Sequence, residues 1–287
     1  SKVDVQDRVV GSTNDKITLL EDKYESKTAI GQMTKLDWNS SDKEYVYTVG
    51  THDYQSTQDF TELFGRNVKV VFTENKKTND IKVFGIVPKD SKILAKGIMD
   101  DIEYSDTKEI KVDGTKYKTD DAVMGTTNTA PLKALAFNGT AIDLFHKDSS
   151  DNDKIKLNTT LQPFYTVSVI DNDNDGKADL VVYLPVYAAK VTSVGTKQIT
   201  VKYLDNTTPD NFKFEEEDIY SGVAKDDYVV VTKAANTYDG TNIVKKMDSV
   251  AGKVTGLRDG KVQIDSKWYN NLSTTNFRLD GTYTFYV

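Results

Sequence analysis

Carboxylate side chains recur at every second position in one short stretch of this chain. The stretch contains four acids and one glycine: Asp171, Asp173, Asp175, Gly176 and Asp179. Calcium prefers six to eight oxygen ligands, and a familiar calcium loop supplies them from positions 1, 3, 5, 7 and 9, with glycine at position 6. The spacing therefore predicts a Ca²⁺ site built from these four carboxylates and the main-chain carbonyl of Lys177 at position 7.

One position of the stretch departs from that pattern. Position 12 holds Val182, where the familiar loop has a bidentate glutamate. We therefore do not expect the tight binding of the complete loop, unless Asp179 or water completes the ligand set. Without a cation the four carboxylates would repel one another, and the alternative interpretation is an acidic turn that stays solvated.

The residues around the acidic stretch are typical of strands. Residues 165–170 and 180–184 are rich in β-branched and aromatic side chains, so the loop is expected to join two strands. A second acidic run, residues 148–153, lacks the glycine and is a weaker candidate for a cation contact.

Composition excludes several classes of function. The chain has 287 residues, a net charge of −7 and no cysteine, so it predicts neither a disulfide framework nor a cysteine-based zinc site. An acidic chain without a basic cluster is a poor nucleic-acid binder. No apolar run approaches the roughly 18 residues that span a membrane. The chain resembles a mature protein or a piece of a longer one.

A repeated hairpin pattern predicts an all-β fold. Hairpins are expected to begin near residues 29, 95, 189 and 251, the second formed by residues 95–99 and 109–117. Further strand pairs follow at residues 63–72 with 81–87 and at residues 223–231 with 242–247, and the pair around the acidic loop is their counterpart. We expect tandem small β-sandwich or barrel modules, divided as residues 1–90, 91–187 with an insertion at 122–160 and the acidic loop, and 188–287 with a terminal partial module.

Helices are expected only as short connectors. Residues 56–64 place apolar side chains at helical spacing after a Ser or Thr cap, and residues 130–135 are a weaker case. The final strand, residues 281–287, must pair within its own module or with a neighbour, because an unpaired edge strand is an association site.

The sequence offers no catalytic constellation, and we expect no enzymatic activity. The two histidines, His52 and His146, lack metal-ligand spacing, and no nucleophile elbow or phosphate loop is present. Trp38 and Trp268 could stack on sugars, but both lie in predicted hairpins, where packing is the more common role.

The repeated hairpin, the Leu63-Phe64-Gly65-Arg66-x-Val-Lys-Val element, the Val-Asp-Gly-x-Lys-Tyr motif near residue 114 and the acidic loop together resemble a known class. They are similar to the long non-catalytic region of Gram-positive bacterial surface proteins that carry S-layer homology anchoring domains. The resemblance covers most of residues 29–280 and implies an extracellular, surface-exposed β array. The anchoring domains are absent from it, so contact with cell-wall polysaccharide would involve regions outside this chain.

We therefore expect a secreted structural protein of a bacterial surface layer or fibre, stabilised by Ca²⁺ and acting by self-association without catalysis. Two other classes remain open. One is a binding module, such as an adhesin, a phage structural protein or a cell-wall glycan-binding module. The other is an accessory part of a carbohydrate-active enzyme.

Overall fold

The computed structural model describes residues 26–39, 41–74, 81–125, 130–151, 154–204, 208–233, 242–258, 260–271 and 276–286. Strands make up 61 % of these residues and helix only 3 %, which confirms the all-β prediction. Both described helices are single 3-10 turns, Thr61–Leu63 and Met99–Asp101, and neither is long enough to cross a membrane. The chain divides into two compact units, Ser1–Leu184 and Pro185–Val287.

The described strands are short and connected mostly by tight turns. Those of the first unit are β1 (Lys27–Asn39), β2 (Glu44–Val49), β3 (His52–Ser56), β4 (Asn67–Glu74), β5 (Ile81–Pro88), β6 (Lys92–Ile98), β7 (Ile102–Asp106), β8 (Glu109–Val112), β9 (Thr115–Lys118), β10 (Lys133–Ala136), β11 (Ala141–Asp143), β12 (Phe145–Lys147), β13 (Ile155–Leu157), β14 (Thr166–Asp171) and β15 (Leu180–Leu184). Those of the second unit are β16 (Val186–Val194), β17 (Gln198–Tyr203), β18 (Asp210–Lys213), β19 (Asp218–Ile219), β20 (Tyr228–Thr232), β21 (Ile243–Lys246), β22 (Ser249–Arg258), β23 (Lys261–Ile264), β24 (Lys267–Asn270) and β25 (Thr282–Tyr286).

The described part of the chain contains four repeats of related strand order; we number them one to four, beginning at β1, β6, β16 and β22. In repeats one, three and four the first strand is central, with the second and third strands on one side and the later strands on the other. Repeat one has the order β3-β2-β1-β4-β5, and repeat three has β18-β17-β16-β20-β21 with β19 added at the edge. Repeat four shows β24-β23-β22-β25.

Alternating side chains explain why these segments form half-buried strands. In β17, Ile199, Val201 and Tyr203 are buried and the residues between them are not, which is the period of two that a sheet requires. The turn between β8 and β9 uses Asp113 and Gly114 at φ 46° and 78°. This left-handed pair matches the twist of a two-residue hairpin, as the Asp-Gly dipeptide predicts.

The first strand of a repeat bends at a fully buried residue. Met33, Val191 and Val254 are each 0 % exposed, and the pairing register with the second strand shifts directly after each of them. Before the bend the strand pairs with the fourth strand of its repeat (β4, β20 or β25), and from the bend onward it pairs with the second; in β16, the two residues before the bend pair with both. One strand therefore belongs to two half-sheets.

A pair of backbone hydrogen bonds holds each of these bends in place. The residue that we call the clip residue donates its N–H to the carbonyl of the bend residue, and the next residue accepts the bend residue's N–H. The clip residues and their two distances are Gly65 (2.8 and 2.9 Å), Asp226 (2.8 and 2.8 Å) and Asp280 (2.9 and 2.9 Å). All three have left-handed backbones, with φ of 81°, 74° and 65°.

Repeat two departs from this pattern in two ways. Its first strand is broken into β6 and β7 by the 3-10 turn at Met99–Asp101, and Met99 is 0 % exposed like the other bend residues. The predicted hairpin of residues 95–99 with 109–117 is therefore wrong: β6 pairs with β14, and β7 pairs with β8. The turn at residues 99–101 redirects the chain before the hairpin begins.

The second departure is the insertion β10–β13 between the third and fourth strands of repeat two. Lys133–Ala136 is a strand paired in parallel with β15, so the predicted helix at residues 130–135 is wrong. Ala134, Leu135 and Ala136 are all buried, and burial on both faces favours a strand in a central position. The other predicted helix, residues 56–64, is reduced to the turn at Thr61–Leu63. The last strand, β25, pairs with β22 in its own sheet.

Candidate metal centre

The acidic stretch forms the connection between β14 and β15, which are antiparallel neighbours. Asp171 is the last residue of β14 and is 0 % exposed. Its Oδ1 accepts the N–H groups of Asp173 at 3.3 Å and Asn174 at 2.6 Å, and its Oδ2 accepts that of Gly176 at 2.9 Å. Asn174 and Gly176 are left-handed, with φ of 66° and 90°. The Asp171 carboxylate therefore accepts three main-chain hydrogen bonds from the loop and fixes its turn.

Three of the predicted ligands converge at the base of this loop. Carboxylate oxygens of Asp171, Asp173 and Asp179 lie within 4.8 Å of one another. Asp179 Oδ2 also accepts the N–H of Asn172 at 2.6 Å. Such a group of hard oxygens is chemically suited to a hard cation such as Ca²⁺.

A second group of carboxylates lies beside the first and shares Asp173 with it. Asp120, Asp173 and Asp175 also have oxygens within 4.8 Å of one another. Asp120 follows β9, and the loop is held against it by a bridge between Thr119 and Ala178. The sequence analysis missed Asp120, because no spacing rule connects it with a loop that begins at residue 171; the fold alone places it there.

Lys177 supplies a positive charge to the second group. Its ammonium donates to Asp120 Oδ1 at 2.7 Å and to Asp175. These contacts raise the pKa of Lys177 and lower that of Asp175. Lys177 therefore contributes its side chain as an internal counter-charge, whereas the sequence predicted a role for its carbonyl.

Among the described residues, no ammonium contacts Asp171 or Asp179 of the first group, and the electrostatics of that group differ. The pKa of Asp179 is raised to about 6, first by burial, with the Asn172 N–H opposing the shift and Asp173 and Asp120 adding to it. Crowding and burial thus disfavour a full set of ionised carboxylates here. A bound divalent cation would reverse that preference, since it favours the ionised forms.

The second residue of the loop joins repeat two to repeat one. Asn172 Oδ1 accepts the N–H of Asn67 at 2.7 Å and the hydroxyl of Ser91 at 2.9 Å. Its Nδ2 donates to Gly65 O at 2.9 Å, and its carbonyl accepts Asn67 Nδ2 at 2.7 Å. We call this set the Asn172 latch. It attaches the acidic loop to the clip residue of repeat one.

The remaining predicted features lie elsewhere. Asp148 is buried and bound by Lys156 at 2.6 Å, which lowers its pKa, and residues 152–153 of the second acidic run lie outside the described part of the chain. Trp38 is buried against Tyr45, whereas Trp268 is 38 % exposed with Arg258 over its ring. His52 contacts the hydroxyl of Thr51 at 3.1 Å.

Comparison with models of known protein families and with curated proteins found no match for this chain. The resemblance to S-layer-type surface proteins therefore stays a prediction.

Proposed function

We propose that this chain is a structural component of a bacterial extracellular surface assembly, an S-layer or fibre-like array, that binds Ca²⁺ at the β14–β15 loop and has no catalytic role. The observation that supports the proposal best is the position of the loop. The carboxylates at its base are one to seven residues from Asn172, which holds the loop against Gly65, Asn67 and Ser91 of the preceding repeat.

The mechanism that we propose is mechanical. Ca²⁺ would bind Asp171, Asp173 and Asp179, remove their mutual repulsion and reduce the motion of the loop. Because the loop carries the Asn172 latch, a stiffer loop means a stiffer connection between repeats one and two. A tandem array needs such connections, since each repeat contacts mainly its neighbours.

A thermal melt in millimolar calcium against a chelator tests the calcium part of the proposal. Extracellular-type sites have a Kd of about 10⁻⁴ M or weaker, and calcium at about ten times Kd adds roughly 1.4 kcal/mol. The melting temperature should therefore rise by about 3–6 °C. Asp173→Asn should abolish the rise, and Asp100→Asn, an exposed acid outside the loop, should retain it. No rise in the wild type would contradict the calcium site.

Lys177→Met sharpens that test, because it removes the competing ammonium and leaves the main-chain carbonyl. We expect the variant to bind Ca²⁺ several-fold more tightly in isothermal titration calorimetry and to melt at a lower temperature in chelator. Unchanged affinity would mean that the ion does not sense the second carboxylate group.

Electron microscopy of the purified chain, with and without calcium, tests the assembly part of the proposal. Sheets or fibres support it, and dispersed particles under all conditions count against it. A glycan-binding module is the second candidate, and the exposed Trp268 beside Arg258, 4.6 Å from its ring, is the observation that favours it. Retention of the chain on isolated cell walls, lost in Trp268→Ala, would favour that candidate.

A further inference from the structure

One cross-strand row recurs in every repeat, directly after the register shift between its first and second strands. In repeats one, two and three the row is polar and closed by contacts of its own: Thr48 with Asp53 at 2.6 Å, Glu109 with Lys118 at 2.8 Å, and Thr200 with Asn211 at 2.7 Å. In repeat four the row is Gly256, Gln263 and Trp268. A glycine and a tryptophan therefore stand where the other repeats carry polar side chains.

The indole of Trp268 lies on the outer face of its sheet. The next residue, Tyr269, packs against the core of repeat four, so Trp268 points to the opposite face, where it is 38 % exposed. The ring reaches across β23 to β22, because a Cβ built on Gly256 would lie 3.0 Å from its Cη2 atom. Gly256 does not have a left-handed backbone. What the glycine provides here is therefore room for the ring.

The middle residue of the row is fixed by hydrogen bonds at both ends of its amide. Gln263 Oε1 accepts the hydroxyl of Thr255 at 3.2 Å, and its Nε2 donates to Ser266 O at 3.1 Å. The ring of Trp268 thus crosses a strand whose side chain is held in place. An aromatic surface that is ordered in advance loses little conformational entropy when it binds a ligand.

Two cations border the ring. Arg258 Cζ lies 4.6 Å from the ring centroid of Trp268, and Lys261 is the direct cross-strand partner of Arg258. Like charges at opposed positions destabilise a strand pair, and here they occur in a chain with a net charge of −7. Among the described residues, the two paired rows that hold these side chains include no acid. A guanidinium stacked on an aromatic ring is oriented, and its fork matches the two oxygens of a carboxylate.

We propose that this outer face, which we call the Trp268 platform, binds a carboxylate-bearing polysaccharide. The fork of Arg258 binds the carboxylate of one sugar unit, and Lys261 adds a second positive charge. The exposed part of the indole packs against the apolar C–H face of the neighbouring unit. A polymer fits better than a free acid, because the charged and the apolar contacts lie side by side. The site goes beyond the structural role and supplies a ligand class for the glycan-binding candidate.

Isothermal titration calorimetry on the full chain tests the platform, with polygalacturonate oligosaccharides as the probe. We expect binding that weakens as the salt concentration rises, and no binding of neutral dextran oligosaccharides of the same length. Tryptophan fluorescence locates the contact, since Trp38 is 7 % exposed and Trp268 is 38 % exposed. Emission should shift to shorter wavelength as the probe covers Trp268.

Substitutions at the platform separate the ring from the charge. Trp268→Ala and Arg258→Gln should each weaken binding by about tenfold, as expected for an anchoring side chain. Arg258→Lys keeps the charge, and it should still weaken binding because the fork and the stacking are lost. Trp268→Phe keeps a ring and should retain part of the affinity. Lys225→Gln is the matched control, since it removes one positive charge at an exposed position of repeat three. Circular dichroism checks that each variant is folded.

Three results would overturn the proposal. Absence of polygalacturonate binding would mean that the indole only packs over Gly256. Unchanged binding in Trp268→Ala, or equally tight binding of polyphosphate, would mean that charge alone attracts the probe. These results would leave the assembly role standing, because that role is measured by the calcium melt and by electron microscopy. Conversely, Trp268→Ala should show the same calcium-dependent rise in melting temperature as the wild type, since the platform and the calcium loop share no residue.

Discussion

The clip residues of repeats one and three have the same backbone and opposite surroundings. Gly65 and Asp226 share the left-handed conformation and the same two hydrogen bonds to a buried bend residue. A Cβ at Gly65 would lie 2.0 Å from Val182 Cγ1, because repeat two packs over it. Asp226 instead lies at the surface, where its carboxylate binds Lys190 at 2.7 Å. The repeat determines the backbone, and the neighbouring structure determines which side chain is tolerated.

The residue after the clip shows the same division. In repeat one it is Arg66, which donates to Ser91 O and thus strengthens the surroundings of the Asn172 latch. In repeat three it is Asp227, which accepts from Lys246, Tyr220 and Ala224 within its own repeat. One position of the repeat therefore serves a junction in the first unit and the local sheet in the second.

The largest effect that we expect comes from Gly65→Ala. The new methyl group adds the strain of a left-handed alanine, about 1 kcal/mol, and the overlap with Val182, about 1–3 kcal/mol. The melting temperature of the first unit should fall by roughly 5–12 °C, as measured by calorimetry on the full chain.

Two controls separate the strain from the overlap. Gly114→Ala has a similar φ of 78° and open space around it, so it should lose only the strain component. Combining Gly65→Ala with Val182→Ala should show a favourable coupling energy in a double-mutant cycle. Purely additive effects would mean that repeat two does not press on the clip residue.

A smaller effect is expected from Asn172→Ala, which removes the side-chain hydrogen bonds of the latch. Leaving the partly buried Asn67 N–H and Gly65 O without this partner should lower the free energy of unfolding by about 2–3 kcal/mol. Asn138→Ala is the control, because Asn138 Oδ1 accepts a single exposed local N–H at 2.9 Å. Equal losses of unfolding free energy in the two variants would show that the latch does not stabilise this junction.

The smallest effect is a pH dependence that belongs to repeat three. The hydrogen bond from Lys246, followed by those from Tyr220 and Ala224, lowers the pKa of Asp227 to about 2 from its ordinary 3.8. A carboxyl with a lowered folded-state pKa stabilises the fold above its ordinary pKa, and this contribution is lost as the pH falls from about 4 to about 2.

Asp227→Asn should therefore melt below the wild type at pH 7, and the gap should close near pH 2. Thermal melts of the full-length wild type and variant at both pH values measure this difference in melting temperature. An equally large difference in melting temperature at both pH values would mean that the substitution destabilises the fold through changed packing rather than through the lost charge.

Much of the strand pattern could be predicted from the sequence, because alternation and turn dipeptides are local. The hairpins near residues 29, 189 and 251 and the strand pair around the acidic loop are present in the structure. The predictions were wrong where pairing with a segment distant in sequence determines the structure. Lys133–Ala136 is a strand because β15 pairs with it, and β6 pairs with β14 rather than with the strands that follow it.

The candidate site was predictable to the same extent. Spacing within one loop identified Asp171, Asp173 and Asp179, which the fold brings together. Asp120 and the second role of Lys177 depend on a bridge between Thr119 and Ala178, which no local pattern encodes. The Asn172 latch is likewise invisible in the sequence, because an asparagine in an acidic loop is expected to face solvent.

The crossover from the third to the fourth strand of a repeat has a consequence for engineering. It takes about ten residues in repeat one (57–66) and about 47 in repeat two (119–165), yet the central strands keep their order. Lengthening a loop about fivefold adds only about 1.4 kcal/mol of closure entropy. The crossover therefore tolerates long insertions, and a foreign peptide or domain can be grafted there without changing the order of the central strands.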